Sequence, residues 1–195
     1  IFNISEEFNS YDKLNSKKNL IGFDNGVIDL KYESMDQYNN VNKETIFRQG
    51  RPDDYISLSV GYSLPVDTND LPINIDKIKE NIVHINDYES LSADLDDFIE
   101  KVLPNEDVRD YTLRFLSSCL SGEVREEKFY FWTGSGANGK SKITDLITST
   151  LGGYSKTMDV SYLTTKRGSS SSASPELEAI RYARFVSCLL YTSPS

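Results

Sequence analysis

The stretch that most constrains this chain is residues 129–141, Phe-Tyr-Phe-Trp-Thr-Gly-Ser-Gly-Ala-Asn-Gly-Lys-Ser. Its first five residues are apolar or β-favouring and predict a short buried strand. Glycines at 134, 136 and 139 then predict a tight loop, and Ile143, Leu146 and Ile147 follow at helical spacing. Strand, glycine-rich loop, helix is the setting in which G-x-x-x-x-G-K-[ST], here residues 134–141, carries a mechanism. Glycines let backbone N–H groups turn towards an anion where a Cβ would clash, and a helix N-terminus adds unpaired N–H groups and partial positive charge. The pattern predicts that Gly134, Ser135, Gly136, Ala137, Asn138 and Gly139 cradle the phosphates of a nucleotide. Lys140 then reaches them as a point charge, and the Ser141 hydroxyl ligates Mg²⁺. A glycine-rich turn that merely ends in Lys-Ser is the plainer alternative, and the flanking strand and helix patterns weigh against it.

The 195 residues suffice for one large domain or two small ones, and 38% apolar with 26% charged residues suits a soluble globular protein. No apolar run is long enough to cross a bilayer, and the first residues lack the basic and apolar regions of a signal peptide. An intracellular protein with no membrane partner is the expectation. Cys119 and Cys188 lie far apart and the single histidine, His84, has no ligand-spaced partner, which argues against zinc and against paired Cys/His chemistry. Cys119 reads as a small core residue on an apolar helical face, and His84 as a strand or loop residue. The net charge of −9 is uneven: residues 1–105 hold 10 basic and 20 acidic residues, residues 106–195 hold 11 and 10. This asymmetry predicts two units with different surfaces. It also counts against the first as a general nucleic-acid grip, whose affinity comes largely from neutralising phosphates.

Along the chain, Phe8, Tyr11 and Leu14 suggest one face of a short helix. Residues 20–23 and 27–30 are β-prone runs around Asp24-Asn25-Gly26, a hairpin signal, whereas residues 31–42 read as an irregular loop. Alternation over residues 56–62 predicts a half-buried strand. Arg48 and Arg51 beside Gly50 could bind an anion or pair with Asp53 and Asp54 on a solvated turn, and the pairing is the favoured reading. Residues 66–76 give the clearest linker signal. Leu91, Leu95, Phe98, Ile99 and Val102 then mark an amphipathic helix over residues 87–103, its opposite face carrying Asp94, Asp96, Asp97 and Glu100 as a solvated surface. Pro104 ends it, Asn105 caps a second helix with Glu106 and Asp107 in its first turn, and Gly122 stops that one. Beyond the loop helix, residues 169–172 form a serine run of mobile composition, residues 175–180 suggest a short helix, and Arg184-Phe185-Val186 opens a strand.

Gly-Ser-Gly-Ala-Asn-Gly-Lys-Ser behind Phe-Tyr-Phe-Trp-Thr, with Ser-Pro-Glu-Leu-Glu and Arg-Phe-Val downstream, resembles superfamily 3 helicases of the large-DNA-virus and poxvirus primase-helicase type. Phage and plasmid replication helicases carry related versions. Asn-Leu-Ile-Gly-Phe-Asp-Asn-Gly-Val-Ile-Asp-Leu and Arg-Gln-Gly-Arg-Pro-Asp-Asp-Tyr-Ile-Ser-Leu resemble the accessory domain before the motor of those viral proteins. The resemblance implies an α/β fold, with an AAA+-like phosphate-loop ATPase core over residues 87–195, helical lead-in included, and a small α+β accessory domain over residues 1–86. It further implies ATP-dependent DNA unwinding by a homo-hexameric ring in viral or mobile-element replication. ATP and Mg²⁺ would be bound by Gly134, Gly136, Asn138, Gly139, Lys140 and Ser141, with Lys140 the catalytic residue. DNA, a primase domain and other replication proteins are the implied partners, and the host cytoplasm or a viral replication site the implied location. Lys166 and Arg167 would face DNA or a neighbouring subunit.

The chain departs from that pattern where the motor needs acidic residues at the end of the strand opened by Phe185, because residues 187–195 contain no Asp or Glu. The tail Cys-Leu-Leu-Tyr-Thr-Ser-Pro-Ser resembles translated sequencing adapter and the first residue is Ile1, so an internal fragment with a non-native end over residues 188–195 is expected. Two other readings stay open: a non-catalytic nucleotide-binding or assembly module, and a phosphate-loop kinase of a small molecule or nucleotide. The length of chain before the loop disfavours the kinase.

Overall fold

The structure is a computed structural model that describes residues 13–35, 41–82, 85, 87–124, 128–134, 136, 138–164 and 175–188. The expected helix around Phe8, residue His84, the serine run and the pair Lys166 and Arg167 lie outside these residues.

Four antiparallel strands form a meander, β1 (Leu20–Phe23), β2 (Gly26–Met35), β3 (Val41–Arg48) and β4 (Ile73–Asn74), in spatial order β1-β2-β3-β4. The hairpin signal is realised as a two-residue connection, Asp24 and Asn25, with Phe23 opposite Gly26. Asn25 ties this turn outward, its side chain donating to the Leu64 carbonyl and accepting from the Leu64 amide. The loop expected over residues 31–42 is corrected: Lys31 to Met35 continue β2 and pair with the start of β3, with Glu33 opposite Lys43 at 3.4 Å. Cross-strand pairing and opposite charges outweigh the weak β propensity of a Tyr/Asn-rich segment. The expected linker over residues 66–76 likewise contains β4, whose buried Ile73 pairs with Phe47 and packs with Phe47 and Ile78 in a small core.

The strand predicted for residues 56–62 is also corrected. Its backbone bonds to β1 and the turn after it are Val60 N–H to Gly22 O (3.0 Å) and Asp24 N–H to Tyr62 O (3.1 Å), while the Leu58 and Ser59 carbonyls accept from Tyr154 and Gly153. Val60 is buried but Tyr62 on the same side of the pattern is exposed, and no ladder forms because the carbonyls of the segment serve partners elsewhere.

The helices follow the sequence more closely. α1 (Ile75–Ile82) leads to α2 (Tyr88–Val102) and α3 (Glu106–Ser118), the last two within a residue of expectation at each end apart from the stop of α3. α3 passes into a 3-10 turn, Cys119–Ser121, and ends at Gly122. The Asn105 side chain accepts from Val108 N–H at 3.0 Å, a cap whose removal in Asn105→Ala should cost about 1 kcal/mol. Urea unfolding checks this, and an unchanged midpoint would dismiss the cap. α4 (Lys140–Leu151) follows the glycine-rich loop, α5 (Ser161–Thr164) and α6 (Pro175–Ala179) are short, and β5 (Ser155–Thr157) pairs in parallel with β6 (Phe185–Ser187).

The main core joins β1, residue 60, α3, α4 and β6 through Ile21, Val60, Leu116, Cys119, Ile143, Leu151, Tyr154 and Phe185. Residues from both sides of position 86 therefore bury one another. Cys119 lies in this core as a free thiol whose pKa is pushed up by burial, in keeping with a packing residue; Cys188 is also free. Among the described residues no helix is long and apolar enough to cross a membrane.

Candidate functional site

Phe129 to Thr133 contain no strand, contrary to the sequence expectation. The segment keeps its two-sided character: Tyr130 stacks on Phe115 of α3 with ring centroids 3.7 Å apart, and Trp132 packs against the main core. Phe129 and Phe131 point the other way, 77% and 84% exposed. A strand needs a hydrogen-bonding neighbour, and the parallel sheet among the described residues consists of β5 and β6 alone. Local propensity sets the alternation, but pairing must come from another segment.

From this segment the chain enters the loop at Gly134, and α4 begins immediately after Gly139. Gly139 has φ 79°, in the left-handed region, and a Cβ there would stand 2.4 Å from a Val102 methyl at the end of α2. Only glycine meets both demands. Val102 thus supports the loop from below, a role its place in an amphipathic stripe did not reveal. Gly139 brings no side chain to cap α4, and helix geometry leaves the first N–H groups of α4 without intrahelical acceptors. No acidic residue lies in that first turn. The end of the helix is therefore electrostatically open to an anion.

Lys140 donates from Nζ to Asn138 Oδ1 at 2.5 Å. Its ammonium is held over the loop by a neutral carboxamide, a partner that phosphate oxygens can replace with a stronger charge-assisted bond. An open concavity of about 390 Å³ is lined by Gly136, Asn138, Gly139, Lys140, Ser141 and Lys142. Ser141 is exposed on the first turn, one residue beyond Lys140. Lys142 forms an exposed pair with Asp145 at 3.5 Å. The structure therefore brings Gly136, Asn138, Gly139, Lys140 and Ser141 to one hollow, with Gly134 at its entry. Ser135 and Ala137, predicted to complete the cradle, lie outside the described residues.

β6 ends at Ser187, whose hydroxyl lies 3.3 Å from that of Thr157 on β5. Among the described residues no group of three or more His, Cys, Asp or Glu side chains is placed to hold a metal ion. The acidic face of α2 is solvated: Asp97 pairs with Lys101 at 2.5 Å with both side chains exposed. Arg48 departs from the solvated turn expected for it. It is buried, donating to both oxygens of Asp54 at 2.8 Å and to Asp29 at 3.3 Å, and so is committed to structure rather than to an external anion.

No family model matches this chain. Among curated proteins it is 43% identical over 174 residues, 89% of its own length, to "Putative helicase L207/L206" of Acanthamoeba polyphaga mimivirus. It is 29% identical over 144 residues to "Putative helicase 184R" of Invertebrate iridescent virus 6 (74% of the chain), and 33% identical over 92 residues to "Putative helicase 022R" of Frog virus 3 (47%). The chain spans only 15%, 12% and 10% of the lengths of these relatives, respectively. By these similarities it is a homologue of one segment of proteins that carry helicase names in large DNA viruses.

Proposed function

We propose that this chain contains the nucleotide-binding segment of an ATP-dependent DNA helicase of the superfamily 3, viral primase-helicase type. The observation that carries the reading is the position of Lys140, on the first turn of a helix opened by Gly139 and facing the hollow lined by Gly136, Asn138 and Ser141. The helicase names of its relatives support the same class. In this reading residues 87–195 belong to an AAA+-like ATPase unit and residues 1–86 to an accessory unit.

The loop amides and the open end of α4 bind the β- and γ-phosphates of ATP, and Lys140 leaves Asn138 to neutralise their charge. Ser141 orients Mg²⁺ through its hydroxyl; the ion, when bound, offsets the charge that develops on the phosphate oxygens. Hydrolysis drives unwinding of DNA by a homo-hexameric ring that works with a primase domain or other replication proteins, inside the host cell or at a viral replication site.

The test is calorimetric titration of the chain with Mg·ADP. Saturable binding that disappears in Lys140→Ala is expected, and heat no larger than dilution in the unsubstituted chain would overturn the site. A second reading, a nucleotide-binding module without hydrolysis, is favoured by Ser187 at the end of β6, where a motor would carry a carboxylate. Phosphate release in the full-length protein separates the two: turnover supports the helicase, binding without turnover the module.

A further inference from the structure

The far end of the phosphate-loop helix is fastened to residues 58–62 and to strand β1 by a direct set of bonds. α4 is 12 residues long, so its two ends lie about 18 Å apart on a rigid rod. Tyr62 donates from its hydroxyl to the Thr150 carbonyl at 3.0 Å, in the last turn of α4. Directly beyond, Gly152 turns the chain with φ 48°, and a Cβ there would stand 1.9 Å from the Val60 carbonyl oxygen. Gly153 N–H donates to Ser59 O at 2.9 Å. The Tyr154 hydroxyl donates to Leu58 O at 2.9 Å and accepts from Gly22 N–H at 2.8 Å. Residues 150–154 thus grip residues 58–62 and strand β1 almost residue for residue.

Arg184 locks the same junction from the opposite side. Its guanidinium lies 4.7 Å from the Tyr154 ring centroid and donates to the carbonyls of Leu20 on β1 and Leu120 after α3, while its N–H donates to Tyr154 O at 2.8 Å. The next residue, Phe185, begins β6 and is buried in the core beside Tyr154. One arginine therefore ties together β1, the end of α3, the turn after α4 and the start of β6.

We propose that the N-terminal antiparallel sheet is a nucleotide-responsive element, coupled to the phosphate loop through α4 and the Tyr154–Arg184 junction. The coupling rests on the nucleotide reading of the loop proposed above. At one end of the rod, phosphates compete with Asn138 for Lys140 and draw on the α4 amides. At the other, the contacts run through backbone atoms and a glycine with no room for adjustment, so a shift of the helix is passed on rather than absorbed, as close-packed interiors transmit strain. The responding surface is the open depression of about 470 Å³ between the β1–β2 turn and residues 56–59, whose walls include Gly22, Asp24 and Leu58. By reciprocity, loosening the junction weakens nucleotide binding at the loop by the same factor that the nucleotide stabilises the junction.

Amide hydrogen exchange on the full chain, with and without Mg·ADP at a concentration shown by calorimetry to saturate, tests this. Exchange at Gly22, Val60 and Gly153 is expected to slow by about fivefold or more on binding, the lower range of measured couplings. Tyr154→Phe keeps the ring in the core and removes both hydroxyl bonds. It should reduce that response and weaken Mg·ADP by a matching factor, while protection of the β2–β3 ladder shows that the sheet is still folded. Tyr62→Phe, which breaks only the contact to Thr150, should have a smaller effect in the same direction. Saturating Mg·ADP with unchanged exchange at all three amides, or wild-type affinity in Tyr154→Phe, would overturn the coupling and leave the loop assignment intact. Failure of the unsubstituted chain to bind Mg·ADP would instead remove the loop assignment and the coupling with it.

Discussion

Replacing Lys140 with alanine in the full-length protein is expected to lower ATP hydrolysis by on the order of 10²–10³-fold and to abolish DNA unwinding, as loss of one preorganised electrostatic contact to a reacting group typically does. The ammonium stands at the rim of the hollow, donating to Asn138 at 2.5 Å, and no other lysine lies on the loop itself. Lys142, the next lysine in sequence, lies two residues further along α4 and already pairs with Asp145. Alanine is the best helix former, and the substituted position is the first of α4, so the variant should fold as well as the unsubstituted protein. Phosphate release and strand displacement report the two activities. Wild-type unwinding by Lys140→Ala would end the assignment of the loop, whereas a loss of both activities with unchanged unfolding would locate the defect at the phosphates.

The largest stability effect is expected at Arg48. Its side chain is 8% exposed, and those of Asp54 and Asp29 are 4% and 11%. Arg48→Ala leaves two carboxylates in the interior without their cation and should cost about 3–5 kcal/mol, a large share of the roughly 5–15 kcal/mol that keeps a domain folded. Arg48→Lys restores charge but not the fork that meets both Asp54 oxygens, so it should recover only part of the loss. Urea midpoints of the three proteins check the order, and an Arg48→Ala midpoint equal to wild type would show the cluster to be energetically idle.

The same cluster predicts how the fold responds to acid. The hydrogen bond from Arg48, with the Arg51 amide adding to it, holds the Asp54 carboxyl below the usual carboxylate range. Because the folded-state pKa is the lower one, the stabilisation is complete above the unfolded value of about 3.9 and is lost as pH falls through the folded value. Stability should therefore fall more steeply below about pH 4 in the wild type than in Asp54→Asn, which has no proton to take up at that position. Parallel acid limbs for the two proteins would assign the acid sensitivity to other groups.

The parts of the molecule that could be read in advance are those whose causes lie within a few residues. The stripe Leu91, Leu95, Phe98 and Val102 reports a helix by spacing alone, and Asn105 three residues before Val108 reports where the next one starts. The turn at Asp24 and Asn25 is local in the same sense. The stripe did not, however, reveal how far its apolar face would be covered: Leu91 and Leu95 remain 64% and 44% exposed, and only the last turns of α2 pack against the core. Strand reading held for residues 20–23, 27–30 and 185–186 but failed at residues 31–35, 56–62 and 129–133, where the presence or absence of a partner overrode local pattern. Residues 31–35, poor in β formers, became strand because β3 lay beside them, and the β-rich residues 129–133 did not because no described strand pairs with them.

The sequence by itself determined the glycine-rich loop, the helix that follows it and the lysine and serine at the start of that helix, since each depends on backbone freedom and spacing inside a dozen residues. Only the tertiary structure decided that Val102 supports Gly139, that Arg48 is sealed between Asp29 and Asp54, and that Tyr154 joins the loop helix to Gly22, 132 positions earlier. A polar group leaves water only when its partners are already in place, and those partners are distant in sequence. Their meeting depends on how the elements pack, not on the residues beside them.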